Sequence, residues 1–296
     1  MRLLSAGHGV TGLVRDEAGT RKVDALGAVS ARAALEDTAA LSALFASHDT
    51  VVWAAQLMLD EERRFVDTAL SILAGSGKTF VFTGGTSLIS ERTDGAWSEN
   101  SFAEDEPFEP RRQVAPRLES ERAVREAGAN GMRTVCLRPP LIWGNHAIKP
   151  IADLYHSARA TGAVCFVGAG LNCYSSVHVE DLADLYLLAI EKGRSGALYH
   201  SVSGEVNWRM MAETVARHLG VPTRSISCDE AQSLWDRFTA LIVFASCSRS
   251  RSPRARQELG WMPRADRLDL LGECLHPRFI ESNERQLSSW VRRPTT

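Results

Sequence analysis

Three short, mainly apolar runs separated by helical segments constrain the fold of this chain more than any other feature. The runs are Asp49–Ala55, Thr79–Thr83 and Met132–Leu137. Runs of this length and composition are typical of strands that are buried on both faces of a parallel sheet. Segments 61–74 and 116–127, which precede the second and third runs, have helical periodicity. The alternation predicts right-handed crossovers and a doubly wound parallel α/β sheet.

The first fifteen residues predict how this sheet begins. Met1–Arg15 has the pattern of a helix end, a turn at Gly7 and Gly9, and a short strand over Val10–Val14. In a dinucleotide-binding α/β domain this order is the second half of the first βαβ unit, whose first half holds the pyrophosphate at a glycine-rich turn. That first half would precede Met1, so we expect a Rossmann-like sheet that is incomplete on its N-terminal side.

A chain that truly starts at Met1 carries two further expectations. Val10–Val14 must pair with Val51–Ala55 or recruit another segment, because unpaired strand edges inside a fold leave backbone groups unsatisfied. Such a chain is also expected to bind NADP(H) weakly or not at all, because the glycine-rich turn would be missing.

Composition favours a cytoplasmic protein with a small-molecule partner. The 296 residues are 44% hydrophobic, enough for one large domain or two closely joined ones. A formal net charge of -2 provides no basic surface for nucleic acid, and no apolar run approaches the roughly 20 residues that span a bilayer. Six cysteines without Cys-x-x-Cys pairs favour reduced thiols and no metal site. We expect a monomer or homodimer.

The pattern of the chain changes after Asn145, where helices become longer and loops less regular. We therefore expect a smaller mixed C-terminal substrate subdomain beside the Rossmann-like region. The expected division assigns residues 1–144 to the Rossmann-like region, with 171–201 returning to it. Residues 145–170 and 202–296 form the substrate-binding subdomain. No linker-like stretch separates the two, so they are expected to surround one cleft.

Three motifs carry a resemblance to a known family. They are Leu137–Gly144 (LRPPLIWG), Val167–Ala183 (VGAGLNCYSSVHVEDLA) and Glu258–Pro263 (ELGWMP). In this order and spacing they resemble the NAD-dependent epimerase/dehydratase branch of the short-chain dehydrogenase/reductases, and most closely its atypical members. The resemblance extends from about Ala6 to the last helix. It implies an NAD(P)-dependent oxidoreductase or epimerase that acts on a small hydroxy or carbonyl metabolite.

The resemblance also implies a cofactor site at the ends of the strands. Arg15 matches the position that faces the adenosine ribose, where a guanidinium favours NADP(H) because it pairs with the 2′-phosphate. The alternative is that Arg15 is an ordinary solvated residue at the end of a strand. Relatives usually have Gly-Asp-Leu where this chain has Ala33-Ala34-Leu35, which removes an acceptor for the adenine amine. The other implied cofactor-binding residues are Leu35, Ala54, Ala55, Thr83, Pro140 and Leu141.

The implied catalytic residues depart from the family pattern. Family members use a Tyr-x-x-x-Lys pair on one helix face and a Ser or Thr hydroxyl that orients the substrate carbonyl. The matching pair here is Gln113 and Arg117, of which glutamine is no general acid and arginine keeps its proton. Glycine replaces the usual serine in Thr83–Ser87, which leaves Thr86 as the candidate hydroxyl. Asp67 matches a family Asn or Asp, although a helix-surface carboxylate is an equally good interpretation.

The candidate substrate-contacting residues are His146, Tyr155 and Tyr174, which lie in segments that build the substrate side in relatives. Two alternatives to hydride transfer stay open. One is a cofactor-independent isomerase, cyclase or lyase on the same fold, and the other is a catalytically inactive ligand-binding or regulatory homologue. Tight NADP(H) binding, measured by fluorescence or calorimetry, would leave only the oxidoreductase or epimerase.

Overall fold

The computed structural model describes residues 1–146, 148–267 and 269–281. Its strands are β1 (Thr11–Val14), β2 (Val29–Arg32), β3 (Thr50–Trp53), β4 (Thr79–Thr83), β5 (Glu91–Arg92), β6 (Arg133–Arg138), β7 (Leu141–Trp143), β8 (Val164–Val167), β9 (Cys173–His178), β10 (Ala197–His200), β11 (Gly204–Asn207), β12 (Thr223–Ile226) and β13 (Ser246–Cys247). Its α-helices are α1 (Arg2–Ser5), α2 (Glu17–Ala25), α3 (Thr38–Ala46), α4 (Leu59–Leu73), α5 (Ala115–Ala127), α6 (Lys149–Thr161), α7 (Val179–Lys192), α8 (Trp208–Leu219), α9 (Cys228–Leu234), α10 (Pro253–Leu259), α11 (Leu270–Glu273) and α12 (Pro277–Glu281). Short 3₁₀ turns cover Thr86–Ile89 and Ala265–Arg267, and a π-helix covers Thr239–Phe244.

A parallel sheet in two parts forms the first half of the molecule. Four strands pair in the order β10-β6-β4-β3, and β1 pairs with β2 as a separate parallel ribbon. The predicted doubly wound α/β fold is thus confirmed. In the described residues β1 has no strand partner other than β2, and β3 has none other than β4, so Val10–Val14 does not pair with Val51–Ala55. Because every one of these pairings is parallel, the carboxyl ends of the strands lie along one edge of each part.

Helices cover both faces of the four-stranded sheet. Phe80 and Phe82 of β4 are fully buried and pack with the apolar stripes of α3, α4 and α5. Val81, whose side chain alternates to the other face, packs with α7 and α10. Burying a side chain such as Phe82 stabilises the fold by about 1.5–3 kcal/mol. The two buried faces explain why these strands read as apolar runs rather than as alternating patterns.

A second core lies between the mixed sheet β11-β9-β7 and the parallel pair β12-β8. Its centre is aromatic: the Trp235 and Phe244 rings stack at 4.1 Å, and Trp208 lies 4.8 Å from Phe244. Helix α10, which the expected division places in the second subdomain, packs against the first half through Ala255 and Leu259. Among the described residues no helix is both long and apolar enough to cross a bilayer.

The long polar loop that follows β4 is fixed to the second half of the chain. Strand β5 within it pairs antiparallel with β13. Gly95, at φ 91°, packs so closely on the turn after β8 that a Cβ would lie 2.0 Å from the Val167 carbonyl oxygen. Further along the loop, the Arg111 Nη1 donates to the Leu241 carbonyl oxygen at 2.9 Å and to the Ser246 Oγ at 2.6 Å. These contacts fix the backbone immediately before Gln113.

Candidate functional site

The turn Gly84-Gly85 follows β4 at the carboxyl edge of the sheet, where ligands bind in open α/β folds. The Gly84 N–H donates to the Leu137 carbonyl oxygen at 2.8 Å, and the Thr86 N–H donates to that of Pro139 at 3.1 Å. These two bonds hold the turn against the end of β6. Because the turn has no side chains, the groups beneath it determine its chemistry.

Two buried ion pairs flank the glycine turn. Arg117 binds Glu62 through Nε–Oε1 at 3.0 Å and Nη2–Oε2 at 2.5 Å. Arg138 binds Glu121 through Nε–Oε2 at 3.0 Å and Nη2–Oε1 at 2.5 Å. The four side chains are at most 6% exposed. Such bidentate pairs fix both position and orientation of the guanidinium planes.

Helix α5 contributes one member to each pair. Arg117 and Glu121 are four residues apart, so they lie on one helix face and point to the same side. Arg117 reaches Glu62 on α4, whereas Glu121 reaches Arg138 at the end of β6. A Cβ on Gly84 would lie 3.3 Å from the Glu121 Oε2, and one on Gly85 would lie 3.7 Å from the Arg117 Nη1. Each glycine therefore has one ion pair beneath it.

His200 extends the second pair toward the end of β10. Its Nε2 lies 3.2 Å from the Arg138 Nη1, and its Nδ1 lies 3.0 Å from the Arg251 carbonyl oxygen. Because arginine only donates, Nε2 accepts and Nδ1 carries the proton. Burial, and then the charge of Arg138, lower the pKa of His200 to about 3. The ring is neutral at physiological pH and holds Arg138 in place.

The four predicted catalytic residues occupy different environments. Arg117 is buried in the site just described, whereas Gln113 is exposed and lines a cavity of about 520 Å³. The other residues of this cavity are Met58, Leu59, Asp60, Arg63, Pro116, Glu119 and Phe238. Thr86 is only 2% exposed beneath the glycine turn. Asp67 lies on the outer face of α4, 53% exposed and paired with Arg63, as the helix-surface interpretation expects.

Sequence reasoning missed Glu62, Glu121 and Arg138 as parts of the site. A signal was present for Glu62, because it lies three and four residues before Phe65 and Val66 and so shares their buried stripe. Arg138 contacts Glu121 and the Phe108 ring, two partners that lie in distant segments of the sequence.

The residues expected to bind the cofactor follow successive parallel strands. Arg15 follows β1, Leu35 follows β2, Ala54 and Ala55 follow β3, Thr83 ends β4, and Pro140 and Leu141 follow β6. Arg15 is exposed and makes no ion pair in the described part of the chain, while Asp16 beside it caps α2 by accepting from the Gly19 N–H at 2.7 Å. The side chains of Ala54 and Ala55 are small and exposed. Arg15 follows a strand of the separate ribbon, whereas Ala54 and Ala55 follow a strand of the four-stranded sheet.

The remaining expected cofactor residues have other partners or are partly covered. The Thr83 hydroxyl bonds to that of Tyr186 on α7, whose pKa burial raises to about 12. Leu35 packs against the first core and Leu141 against the second. The turn at Gly7 leads into strand β1 rather than into a helix, so it supplies no helix N-terminus for a pyrophosphate.

Two of the three candidate substrate residues are core residues, which corrects the expectation for them. Tyr155 is 1% exposed, and its hydroxyl donates to the Cys274 carbonyl oxygen at 2.8 Å. Tyr174 is 6% exposed and packs against Trp208. Burial raises the pKa of each phenol to about 12. Neither hydroxyl is placed to meet a substrate.

His146 remains partly exposed at the junction of the two halves. Its Nδ1 lies 3.0 Å from the Glu273 Oε2, and its backbone N–H donates to the other oxygen at 2.8 Å. The ring stacks on His276 with a centroid distance of 3.3 Å. The positive φ of 54° at His146 is held by these contacts.

The parallel sheet, the helices on both of its faces and the second core define a Rossmann-like α/β fold. The chain belongs to the family described as "NAD dependent epimerase/dehydratase family", which matches residues 1–203. The family is described as NAD dependent, and one structural neighbour is solved in complex with NAD.

Three comparisons place the chain more closely. It is 30% identical over 275 residues to an uncharacterized protein of Schizosaccharomyces pombe, covering 88% of this chain and 89% of that one. It is 28% identical over 214 residues to the 4-hydroxy-2-methyl-3-oxo-4-farnesyl-3,4-dihydroquinoline-1-oxide ketoreductase of Stigmatella aurantiaca, covering 68% and 63% of the two chains. The structure of dTDP-glucose 4,6-dehydratase from Bacillus anthracis in complex with NAD matches with a TM-score of 0.73 at 14% identity, covering 95% of this chain and 91% of that chain.

Proposed function

We propose that this chain is an NADP(H)-dependent oxidoreductase that acts on the carbonyl or hydroxyl group of a small metabolite. The observation that carries the proposal is Arg15, an exposed guanidinium without a carboxylate partner in the described residues, at the carboxyl end of β1. The neighbouring Asp16 carboxylate is already engaged in capping α2. A guanidinium at this position binds a 2′-phosphate, whereas a carboxylate would bind a ribose hydroxyl.

The comparison with a ketoreductase supports the carbonyl part of the proposal. The relative from Stigmatella aurantiaca has that activity in its name. When bound, NADP(H) supplies or accepts a hydride. The residues of this chain orient the substrate instead of exchanging its proton, because Arg117 keeps its charge and is fixed by Glu62. The proton that accompanies reduction therefore comes from solvent, which reaches the exposed Gln113.

The residues at the positions of the family pair favour a second candidate, which is a cofactor-independent isomerase, cyclase or lyase, or an inactive ligand-binding or regulatory homologue. Gln113 has no acidic proton, and the buried Arg117–Glu62 pair holds α5 to α4. A family member in which this ion pair is only structural can retain a substrate cleft without redox chemistry.

Calorimetric titration with NADPH, NADP⁺ and NAD⁺ separates the two candidates. The proposal predicts that NADP(H) binds more tightly than NAD⁺ and that NADPH is oxidised in the presence of a ketone. Failure of NADPH and NADP⁺ to bind would refute it. Substrate turnover without any nucleotide would then identify the cofactor-independent enzyme, and ligand binding without turnover the inactive homologue.

A further inference from the structure

Two arginine side chains lie on one face of the short β5–β13 pair, where the loop after β4 meets the second half of the chain. In this antiparallel pair Arg92 of β5 is directly opposite Ser246 of β13. Side chains that are directly opposite in an antiparallel pair lie on the same face, with Cβ atoms about 4.5–5.5 Å apart. The Arg111 Nη1 donates to the Ser246 Oγ at 2.6 Å. This bond brings the guanidinium of Arg111 to the face that carries Arg92.

Arg111 carries a positive charge that no carboxylate pairs with in the part of the chain that the structure describes. Its Nη1 donates to two neutral acceptors, the Leu241 carbonyl oxygen at 2.9 Å and the Ser246 Oγ at 2.6 Å. The side chain is only partly exposed, and burial lowers the pKa of Arg111. The guanidinium nevertheless stays protonated at physiological pH. Because charged groups that are withdrawn from water are normally paired, Arg111 lacks a counter-charge of its own.

The charges near Arg111 leave one positive charge in excess. The Arg92 Nε and the Cys228 Sγ both donate to the Asp94 Oδ1, at 2.6 and 3.0 Å. Arg92, Asp94 and Tyr174 all act on the charge of Arg111. Burial raises the pKa of Tyr174 to about 12 and raises the pKa of the Cys228 thiol, so both side chains are neutral at physiological pH. The two guanidinium groups therefore share a single carboxylate.

The excess charge favours a carboxylate as the ligand. A carboxylate carries one negative charge, and its two oxygens accept hydrogen bonds from guanidinium groups. A phosphate group carries nearly two negative charges at neutral pH, which would exceed the free positive charge here and repel Asp94. Arg111 precedes Gln113 by two positions, so their Cα atoms are at most about 7 Å apart. A carboxylate at Arg111 and a reacting group near Gln113 can therefore belong to one small molecule.

We propose that Arg111 and Arg92 bind the carboxylate of an organic acid, and that the substrate of this protein is a carbonyl or hydroxyl compound that also carries a carboxylate. Ser246 is the positioning residue, because its hydroxyl holds Arg111 on the face of Arg92. This inference deepens the proposed oxidoreductase function and rests on it, since it names the class of the substrate.

Three variants of the full-length protein test the carboxylate site. Arg111→Gln removes the unpaired charge, and Arg112→Gln, which removes the charge of the exposed neighbouring arginine, is the matched control. Arg111 also holds its loop through Leu241 and Ser246, so its substitution can lower stability. Arg92→Gln removes one positive charge without removing either of those two bonds. Thermal unfolding establishes that each variant is folded.

The probes are levulinate, which carries a ketone and a carboxylate, pentanoate, which carries the carboxylate alone, and 2-pentanone, which carries the ketone alone. Saturation-transfer NMR titrations give Kd without turnover, and NADPH oxidation gives kcat/KM for the two ketones. We expect wild type to bind both carboxylates at least about tenfold more tightly than 2-pentanone, and to reduce levulinate with the higher kcat/KM. Arg111→Gln and Arg92→Gln should raise the Kd for both carboxylates about tenfold or more without changing that for 2-pentanone, and Arg112→Gln should match wild type.

The outcomes distinguish this inference from the proposed function. Wild-type carboxylate binding in either Arg111→Gln or Arg92→Gln overturns the site, as does equal binding of levulinate and 2-pentanone by wild type. Displacement of pentanoate by inorganic phosphate at concentrations below the Kd for pentanoate would assign the site to phosphate and overturn the carboxylate. If the carboxylates bind as expected but NADPH is not oxidised with levulinate, the site stands and the oxidoreductase function fails. If levulinate and 2-pentanone are reduced equally well by wild type and both variants, the function stands and this inference fails.

Discussion

Arg117 and Glu62 form a bidentate ion pair between helices α5 and α4, with nitrogen–oxygen distances of 3.0 and 2.5 Å and side-chain exposures of 6% and 0%. A pair withdrawn from water to this extent is costly to separate, because the remaining partner stays buried and charged. The pair therefore has two effects: it stabilises the fold, and it fixes the orientation of the guanidinium beside Gly85.

Glu62→Gln should destabilise the fold strongly. The substitution keeps the shape of the side chain but leaves Arg117 without its counter-charge, and we expect a loss of about 3–5 kcal/mol in the free energy of unfolding. Urea denaturation measures it. Arg209→Ala, which breaks an exposed pair with Glu213, is the control and should cost at most about 1 kcal/mol. If the two substitutions lower the free energy of unfolding equally, the buried pair stabilises the fold no more than an exposed pair does.

His200 should make the protein less stable in mild acid. Its pKa is about 3 in the folded chain, against roughly 6.5 in an unfolded one, so between these values only the unfolded state takes up the proton. The free energy of unfolding should therefore fall as pH drops below about 6.5 and continue to fall toward pH 3, by up to about 1.4 kcal/mol per unit from this group.

His200→Gln provides the corresponding measurement. The free energy of unfolding of this variant and of wild type is measured from pH 7.5 down to pH 4.5 and plotted against pH. The slopes of the two plots are compared, because a loss of stability that is equal at every pH leaves the slope unchanged. The slope should be shallower in the variant. Parallel curves for the two proteins would mean that His200 is protonated in the folded chain.

Tyr155→Phe should affect stability rather than catalysis. The phenol donates to the Cys274 carbonyl oxygen in the second core, and removing it leaves that oxygen unpaired at a cost of about 1–3 kcal/mol. In NADPH oxidation with cyclohexanone or acetophenone as the ketone, kcat/KM of the folded variant should match that of wild type. A large fall in kcat/KM with unchanged unfolding would instead return Tyr155 to the substrate site.

Arg15→Ala should change the preference between nucleotides. Loss of a charge-assisted bond to the 2′-phosphate is expected to raise the Kd for NADP⁺ about tenfold or more, while the Kd for NAD⁺ changes little. Calorimetry with both nucleotides measures the ratio. Arg21→Ala, an exposed arginine on α2 that lies 3.8 Å from Glu17, is the matched control. A parallel loss of affinity for both nucleotides would argue against a 2′-phosphate contact.

The sheet could be predicted because the patterns that specify its strands lie within short stretches of the sequence. The runs that became β4 and β6 are apolar and buried on both faces, as predicted, whereas β3 is buried only in part and leaves Val52 38% exposed. Because the strands are parallel, residues that follow different strands, such as Arg15 and Ala54, lie at carboxyl ends. Their placement could therefore be predicted from the strand order along the chain. The split between β1 and β3 was not predicted as such, since it depends on which strand edges meet.

The chemistry of the site was harder to predict because it depends on contacts between distant segments. Glu62 and Arg117 are 55 positions apart, and no periodicity shows which carboxylate reaches which guanidinium. Tyr155 was misassigned for the opposite reason. Its segment was taken as substrate-facing, although Ile151, Leu154 and Ala158 on the same helix mark a buried stripe that includes it. The helical spacing of these residues places the Tyr155 phenol on the buried face.

The separate ribbon of β1 and β2 has a consequence for hydrogen exchange. Across α1, β1, α2 and β2 only Val14 is buried, so this segment opens with a lower free energy than the four-stranded sheet. A ligand held by Arg15 must keep the ribbon closed, and part of its binding energy is expended on that closure. Slower deuterium uptake by the hydrogen-bonded amides of β1 and β2, which pair as parallel strands, would then report that the nucleotide is bound.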